Sequence, residues 1–428
     1  MLPHIGSRTK HRSPREMTLF QLRNIGVIFV VASPIFLYAL TTQLAMDAVP
    51  FDKHPYTHFN GLDPSREMYI TWENSQSMNA SILLGQSPST LVVNATNVTA
   101  SAMFPTLYRA KLVNLQPNTK YYYRVESVNL TIPYISPVGS FWTAPATPLP
   151  FTAAFFSDSQ QMWGIGHYER IANAIAARED LSFVSVLGDL AQEPDNQANW
   201  NLFMRESESW MRHYPTVPSI GNHDSTFDSA TGHYSNMENF MYLKYFGFSH
   251  ETGPWANHFF YSFNWSNVQF VVGEIGEGSQ ENIALMNQSG WLNQTLKNGQ
   301  DKAFRILVFH RSLFSSLGNH PDFIARIRPI VESYNVSLVM YGHDHHYERF
   351  LMNGHTYLCL AGGGGMQDTG FNIVPESQFI NVGPSYTTVR FEIDRLVVET
   401  RSEENSLIES FTLVRNGSKA DLLLGGVP

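Results

Sequence analysis

The sequence predicts an α+β, multidomain chain, with a small antiparallel β-sandwich followed by an α/β sandwich built on a mixed sheet. Three observations lead there. Residues 50–146 alternate apolar and polar positions with period two, a Pro-rich linker TAPATPLP follows at 143–150, and beyond it apolar runs alternate with helical stretches. The length of 428 residues suits two or three domains, and 43% apolar against 15% charged residues supplies core material and excludes a disordered chain.

The N-terminal 46 residues read as an address. Arg8, Lys10, Arg12, Arg15 and Arg23 precede an uncharged stretch at 24–46, which Asp47 closes. An apolar helix of about 20 residues spans a bilayer core, and basic residues before it favour a cytoplasmic leader. Residues 1–46 are therefore expected to be a cytoplasmic leader with a signal-anchor. The rival is a signal peptide cleaved near Ala39 or Ala45. Nine Asn-x-Ser/Thr sequons, at Asn79, Asn94, Asn97, Asn129, Asn264, Asn287, Asn293, Asn335 and Asn416, agree with export and glycosylation. The expected location is the secretory pathway, either membrane-anchored (type II) or secreted, in the extracellular space or a lysosomal or vacuolar lumen.

The β-sandwich is assigned to residues 50–146. The run MYITWE (68–73) alternates, and in LQPNTKYYYRV (115–125) Leu115, Pro117, Thr119, Tyr121, Tyr123 and Val125 share one parity. A Tyr just after a Pro-containing corner is typical of immunoglobulin-like and fibronectin-like sandwiches. The α/β domain is assigned to 151–415, leaving 416–428 as a tail. Its strands are expected in AAFFSD (153–158), FVSVLGD (183–189), TVPSIGNHD (216–224), ILVFH (306–310) and VSLVMYGHDHH (336–346), with helices near 168–178 and 200–213.

Each of these five strands ends in polar residues: Asp158, Gly188-Asp189, Gly221-Asn222-His223-Asp224, His310, and Gly342-His343-Asp344-His345. In α/β sheets the ligand crevice lies at the carboxyl ends of strands. Singly, an Asp after a strand is a turn or cap residue and a strand-end His a surface group. Five such endings in order point to a shared site. The single cysteine, Cys359, excludes a thiolate cluster, so any metal is held by oxygen and imidazole donors, which suit Zn, Mn or Fe. Twenty-eight Lys+Arg against thirty-seven Asp+Glu give a net charge of −9, which argues against nucleic acid as a partner.

These blocks resemble those of the calcineurin-like metallophosphoesterases, and specifically the purple acid phosphatases with an N-terminal fibronectin type III-like domain. That family's blocks are D-x-G, G-D-x-x-Y, G-N-H-[DE], V-x-x-H and G-H-x-H, the last matched by GHDHHYER (342–349). The resemblance implies two metal ions. Asp158, Asp189 and His345 would bind the first, and Asp189, Asn222, His310 and His343 the second, with Asp189 as the bridge. It also implies in-line attack of a metal-bound hydroxide on phosphorus, with His223 or His320 protonating the leaving oxygen. Arg311 is a candidate phosphate partner, and Trp163 and His167 candidate entrance residues.

Two positions depart from the family pattern. Gln160 stands where purple enzymes have Gly and other metallophosphoesterases a ligand His, and Gln192 replaces the Tyr of G-D-x-x-Y. Either glutamine is at most a weak ligand of the first metal. Both metals are accordingly expected to be divalent (Fe, Zn or Mn), and the family's tyrosinate–iron colour to be absent.

The resulting expectation is an exported acid phosphatase-like enzyme that hydrolyses phosphate monoesters of small phosphorylated substrates, with membrane contact through the uncleaved N-terminal segment. The alternatives are a phosphodiesterase or nucleotide pyrophosphatase, and a catalytically impaired surface or binding protein that keeps the fold. Removal of N-linked glycans from protein expressed through a secretory pathway is expected to increase its electrophoretic mobility. An unchanged mobility would contradict export.

Overall fold

The computed structural model describes residues 53–59, 63–75, 79–95, 99–100, 106–127, 134–161, 167–228, 233–234, 240–247, 259–274, 290–319, 321–416 and 419–423. The expected signal-anchor at 1–46 lies outside them. Among the described residues no helix is long and apolar enough to cross a membrane.

The period-two segments form the expected sandwich. One of its sheets contains Lys53–His58, Met68–Glu73, Thr99–Ala100 and Leu107–Leu112. The other contains Ala80–Gly85, Val92–Ala95, Lys120–Ser127, Tyr134–Ile135 and Gly139–Trp142. Ile70 and Trp72 from the first meet Ile82, Tyr123, Val125 and Phe141 from the second in a shared core. The Tyr121 hydroxyl accepts the Gln116 amide at 2.9 Å, the tyrosine corner that the Pro-containing turn suggested. Met68–Glu73 is buried on both faces apart from Tyr69, more than simple alternation implies.

The reason is that the sandwich does not stand apart. Lys53–His58 pairs in parallel with Thr216–Ser219, His58 opposite Thr216, so its first sheet continues into an eleven-stranded sheet of the following domain. That sheet includes Phe151–Phe156, Leu181–Leu187 and Thr216–Ser219 in parallel, with Ser385–Phe391, Arg395–Ser402 and Leu407–Asn416 beyond. Lys419–Leu423 pairs with Leu407–Asn416, so the region expected as a tail supplies a further strand.

The α/β domain is built on two mixed sheets, where the sequence suggested one. A seven-stranded sheet holds Tyr261–Trp265, Val268–Val272, Phe304–Val308, Leu338–Tyr341, His355–Leu360, Tyr347–Met352 and Ser377–Asn381. Three of the motif strands therefore belong to the first sheet and two to the second. The fully buried runs follow from this: Phe155 and Phe183 face Phe263 and Phe270 between the sheets, with the Phe183 and Phe270 rings 5.3 Å apart, edge to face. On the outer face of the first sheet, Phe156, Val184 and Val186 pack under the helices Tyr168–Ala176 and Gln197–Met211. Leu307, Val339 and Tyr341 pack under Trp291–Asn298 and Pro321–Ser333 on the outer face of the second. Gln197–Met211 begins where Asn196 accepts the Ala198 and Asn199 amides.

Four sequon residues, Asn79, Asn94, Asn264 and Asn416, are exposed and Asn335 is half-buried. Asn97, Asn129 and Asn287 lie outside the described residues. Asn293 is only 7% exposed, in the helix Trp291–Asn298. It is withdrawn as a glycosylation site, because a sugar on its amide would displace packed neighbours.

A buried charge cluster joins the sandwich to the α/β domain. Glu73, 8% exposed, pairs with Lys53 and with Lys244 at 2.6 Å, and accepts the Tyr245 hydroxyl at 3.0 Å. Arg109 donates to the Gly247 carbonyl at 2.6 Å, and Tyr56 to that of Tyr245 at 2.8 Å. Burial opposes the Glu73 charge, but the two lysines hold its carboxyl down at about 2. Because the folded value lies below the ordinary 4.5, this stabilisation is present above pH 4.5 and is lost as pH falls through about 2. Glu73→Ala leaves two buried ammonium groups without their carboxylate. It is expected to lower the unfolding free energy by about 3–5 kcal/mol in urea titrations, and the difference from wild type should shrink as the pH falls from 4.5 towards 2.

Candidate metal centre

The motif residues leave their strands through tight reversals. Asp158, Asp189 and His343 have φ of 61°, 52° and 77°, in the left-handed region that non-glycine residues seldom adopt. Backbone and side-chain bonds lace these turns together. Ser157 Oγ donates to the Leu187 carbonyl at 2.8 Å and Ser159 Oγ to that of Leu190 at 3.1 Å, while the Asp158 and Gln160 amides donate to the Gly188 and Asp189 carbonyls. Gly221 is required by close approach, since a Cβ there would lie 2.1 Å from Asp189 Oδ1 and 2.3 Å from its backbone nitrogen.

Asp158 and Asp189 are 0% and 1% exposed. Asp158 Oδ2 accepts the His343 amide at 2.9 Å, and its Oδ1 lies 3.3 Å from His345 Nε2. The two oxygens of Asp189 serve different sides. Oδ1 accepts the His223 amide at 2.8 Å and lies 3.3 Å from His310 Nε2, while Oδ2 accepts from the Gln160 amide at 3.2 Å. Asn222 Oδ1 lies 3.0 Å from His310 Nε2 and 2.8 Å from His343 Nδ1. All six expected ligand residues therefore meet at one place, and Asp158, Asp189 and His310 bring ligand atoms within 4.8 Å of one another.

His310 donates Nδ1–H to the Leu187 carbonyl at 2.9 Å, and His345 donates Nδ1–H to that of Met366 at 2.6 Å. This leaves Nε2 of each ring to face the carboxylates. Burial works against charge on His310, but Asp189 and Asp158 push it up to about 10. Burial likewise opposes charge on His345, which its bond to Asp158 and that group's charge push up to about 9. His343 moves the other way, down to about 4, through burial and then the charge of His310. The two raised imidazoles thus carry the positive charge that the buried carboxylates require. Oε1 of Gln160 is buried without a hydrogen-bond donor. An oxygen- and imidazole-rich set with such an undonated oxygen fits hard or borderline divalent ions.

The remaining expected residues divide. His223 donates Nδ1–H to the Gln192 carbonyl at 2.8 Å, leaving Nε2 as its basic nitrogen. The Gln192 side-chain nitrogen lies 3.3 Å from that same Nδ1, so the Gln192 side chain turns towards His223. Arg311 is half-buried in the loop after His310. His167 Nδ1 lies 2.9 Å from Glu403 Oε2. His320 and Trp163 lie outside the described residues. Two acidic residues that the motif reading passed over complete the frame. Asp224 accepts the Leu190, Ala191 and Gly221 amides, tying the second block to the third, and its place within GNHD was the signal. Asp368 accepts the His345 amide at 2.8 Å from a Gly-rich loop where nothing local marks it.

Comparison with known proteins agrees with this geometry. Residues 151–347 match the calcineurin-like phosphoesterase family and residues 54–143 the purple acid phosphatase N-terminal domain. An uncharacterized protein of Mycobacterium tuberculosis is 25% identical over 328 residues, 68% of this chain and 60% of the relative. Purple acid phosphatase 22 of Arabidopsis thaliana is 25% identical over 303 residues, 68% of this chain and 65% of the relative. The chain thus spans less than two thirds of the length of these relatives. Among solved structures, a purple acid phosphatase from yellow lupin (Lupinus luteus) seeds superposes with a TM-score of 0.71 at 18% identity, covering 86% of this chain and 75% of that one. The fold is the same.

Gly221→Ala would drive a methyl group into the space of Asp189. The expected outcome is a loss of about 1–3 kcal/mol of stability together with loss of bound metal, read by denaturation and by metal analysis of the same preparation.

Proposed function

We propose, on the premise of a chain that carries a calcineurin-like phosphoesterase domain behind a purple acid phosphatase N-terminal domain, that it hydrolyses phosphate monoesters at a two-metal centre. The observation that carries this reading is the meeting of Asp158, Asp189, Asn222, His310, His343 and His345 from five strand ends on two sheets. Asp158, Asp189 and His345 would hold one ion, and Asp189, Asn222, His310 and His343 the other. The split orientation of the Asp189 oxygens supports its role between them. The Nδ1–H bonds of His310 and His345 to backbone carbonyls support a ligand role for Nε2, since ligand imidazoles are oriented this way.

Bound there, two ions neutralise phosphate charge and acidify water. The chain's own groups supply the rest. Asp158 and Asp189, shielded from solvent, fix the position of charge. His223, with Nδ1–H fixed on the Gln192 carbonyl, presents Nε2 as the proton carrier for the leaving oxygen. Arg311 is the nearest arginine in sequence to a ligand position and the proposed partner for a phosphate oxygen. The exposed sequon residues Asn79, Asn94, Asn264 and Asn416 support glycosylation and hence export.

Asp189→Asn is expected to abolish hydrolysis of a chromogenic aryl phosphate by the metal-loaded protein, and His343→Ala to lose at least one equivalent of metal with little change in thermal midpoint. Wild-type protein inactive on mono- and diesters from acid to neutral pH would refute the enzyme reading. Faster turnover of a diester than of the matching monoester would reassign the substrate class.

A further inference from the structure

We infer that Gln160 is the fourth protein ligand of the first metal site, entering through its amide oxygen after a half-turn of the amide, and that this neutral donor biases the site to a divalent ion. The inference rests on the two-metal reading above and assigns one residue within it.

Gln160 is 4% exposed, and its backbone amide is pinned to the Asp189 carbonyl at 3.2 Å. The side-chain nitrogen lies 3.2 Å from Asp189 Oδ2 and 3.2 Å from His345 Nε2. Asp158 Oδ1 faces the same His345 nitrogen at 3.3 Å. The amide N–H group is thus pointed at atoms of the residues that would bind the first ion, standing where a cation would be welcome. Its oxygen is buried and receives no hydrogen bond. Rotation about the last side-chain bond exchanges the two ends of the amide without moving the backbone. An oxygen turned inward would be repelled by two carboxylates alone, whereas a cation between them reverses that preference. Amide orientation and ion occupancy are therefore coupled.

Competing donors are otherwise engaged. The Gln192 amide turns to the His223 ring. The Tyr168 hydroxyl, 2.5 Å from Ser207 Oγ, accepts from Trp210 Nε1, and that of Tyr347 donates to Glu409 at 2.6 Å. No phenolate from either tyrosine reaches the site. The first ion would then meet two carboxylates, one of them shared, an imidazole and a neutral amide. A trivalent ion favours more anionic oxygen than this set offers, and a divalent ion does not require it.

The test measures metal affinity and Co(II) absorption in the full chain, with Mn(II), Zn(II) and Co(II) as probes and a competing chelator as reference. Gln160→Ala is expected to weaken the first-site ion by about tenfold, leave the second-site ion in place and alter the Co(II) d–d spectrum. Gln160→Glu should tighten the first site and raise its retention of Fe(III), which keeps the test decisive if the alanine variant folds poorly. Gln192→Ala should change neither affinity. Two tightly bound ions with affinities and spectrum unchanged in Gln160→Ala would overturn this assignment alone. Wild-type protein that binds only one ion would overturn the two-metal reading and this inference with it.

Discussion

Two carboxylates, Asp158 and Asp189, sit almost without access to water where two β-sheets present their strand ends to one another. Burying such charge costs several kcal/mol per ion unless it is compensated, and the surrounding structure is organised as compensation. Backbone amides of His223 and His343 donate to these carboxylates, and two imidazoles carry positive charge beside them. Asp224 gathers three further amides behind them. The left-handed turns at Asp158, Asp189 and His343 bring the chain close enough for these bonds. That closeness leaves no room for a Cβ at Gly221 or at Gly342, where it would lie 1.9 Å from Ser157 Oγ.

The rigidity of the frame comes from its aromatic interior. Phe155, Phe183, Phe263 and Phe270 lock the two sheets face to face, so the strand ends they carry have fixed separations. A helical layer on each outer face holds the sheets from behind. The N-terminal sandwich adds to the same body, because its first sheet runs on through the His58–Thr216 pairing and Glu73 is shared between lysines of both parts. The candidate metal centre and the domain docking thus rest on different charge clusters, one of carboxylates beside imidazoles and one closed around a carboxylate–ammonium pairing.

Much of this was legible in the residues. The five strand ends carry their chemistry in contiguous blocks, so local pattern located Asp158, Asp189, Asn222, His310, His343 and His345. Period-two alternation identified the sandwich and the Pro-containing corner its tyrosine, because side-chain alternation is a property of each strand by itself. Where burial exceeded what alternation implies, as at Met68–Glu73, a neighbour covered the outer face, and no strand records its neighbours.

The rest depended on contacts between residues distant in the chain. A parallel strand looks the same whichever sheet it joins, so the division of the motif strands between two sheets was invisible. Gln160 and Gln192 are equivalent in composition and differ in what they touch: one amide faces Asp189 and His345, the other His223. Asp368 is an unremarked residue of a Gly-rich loop until folding sets it against the His345 amide. Asn293 bears a complete sequon and is buried. Residue type and spacing declare what chemistry a chain can offer, because donors, charge and periodicity are local. Which donors share an ion, and which are shut away from solvent, is settled by packing that brings distant segments together.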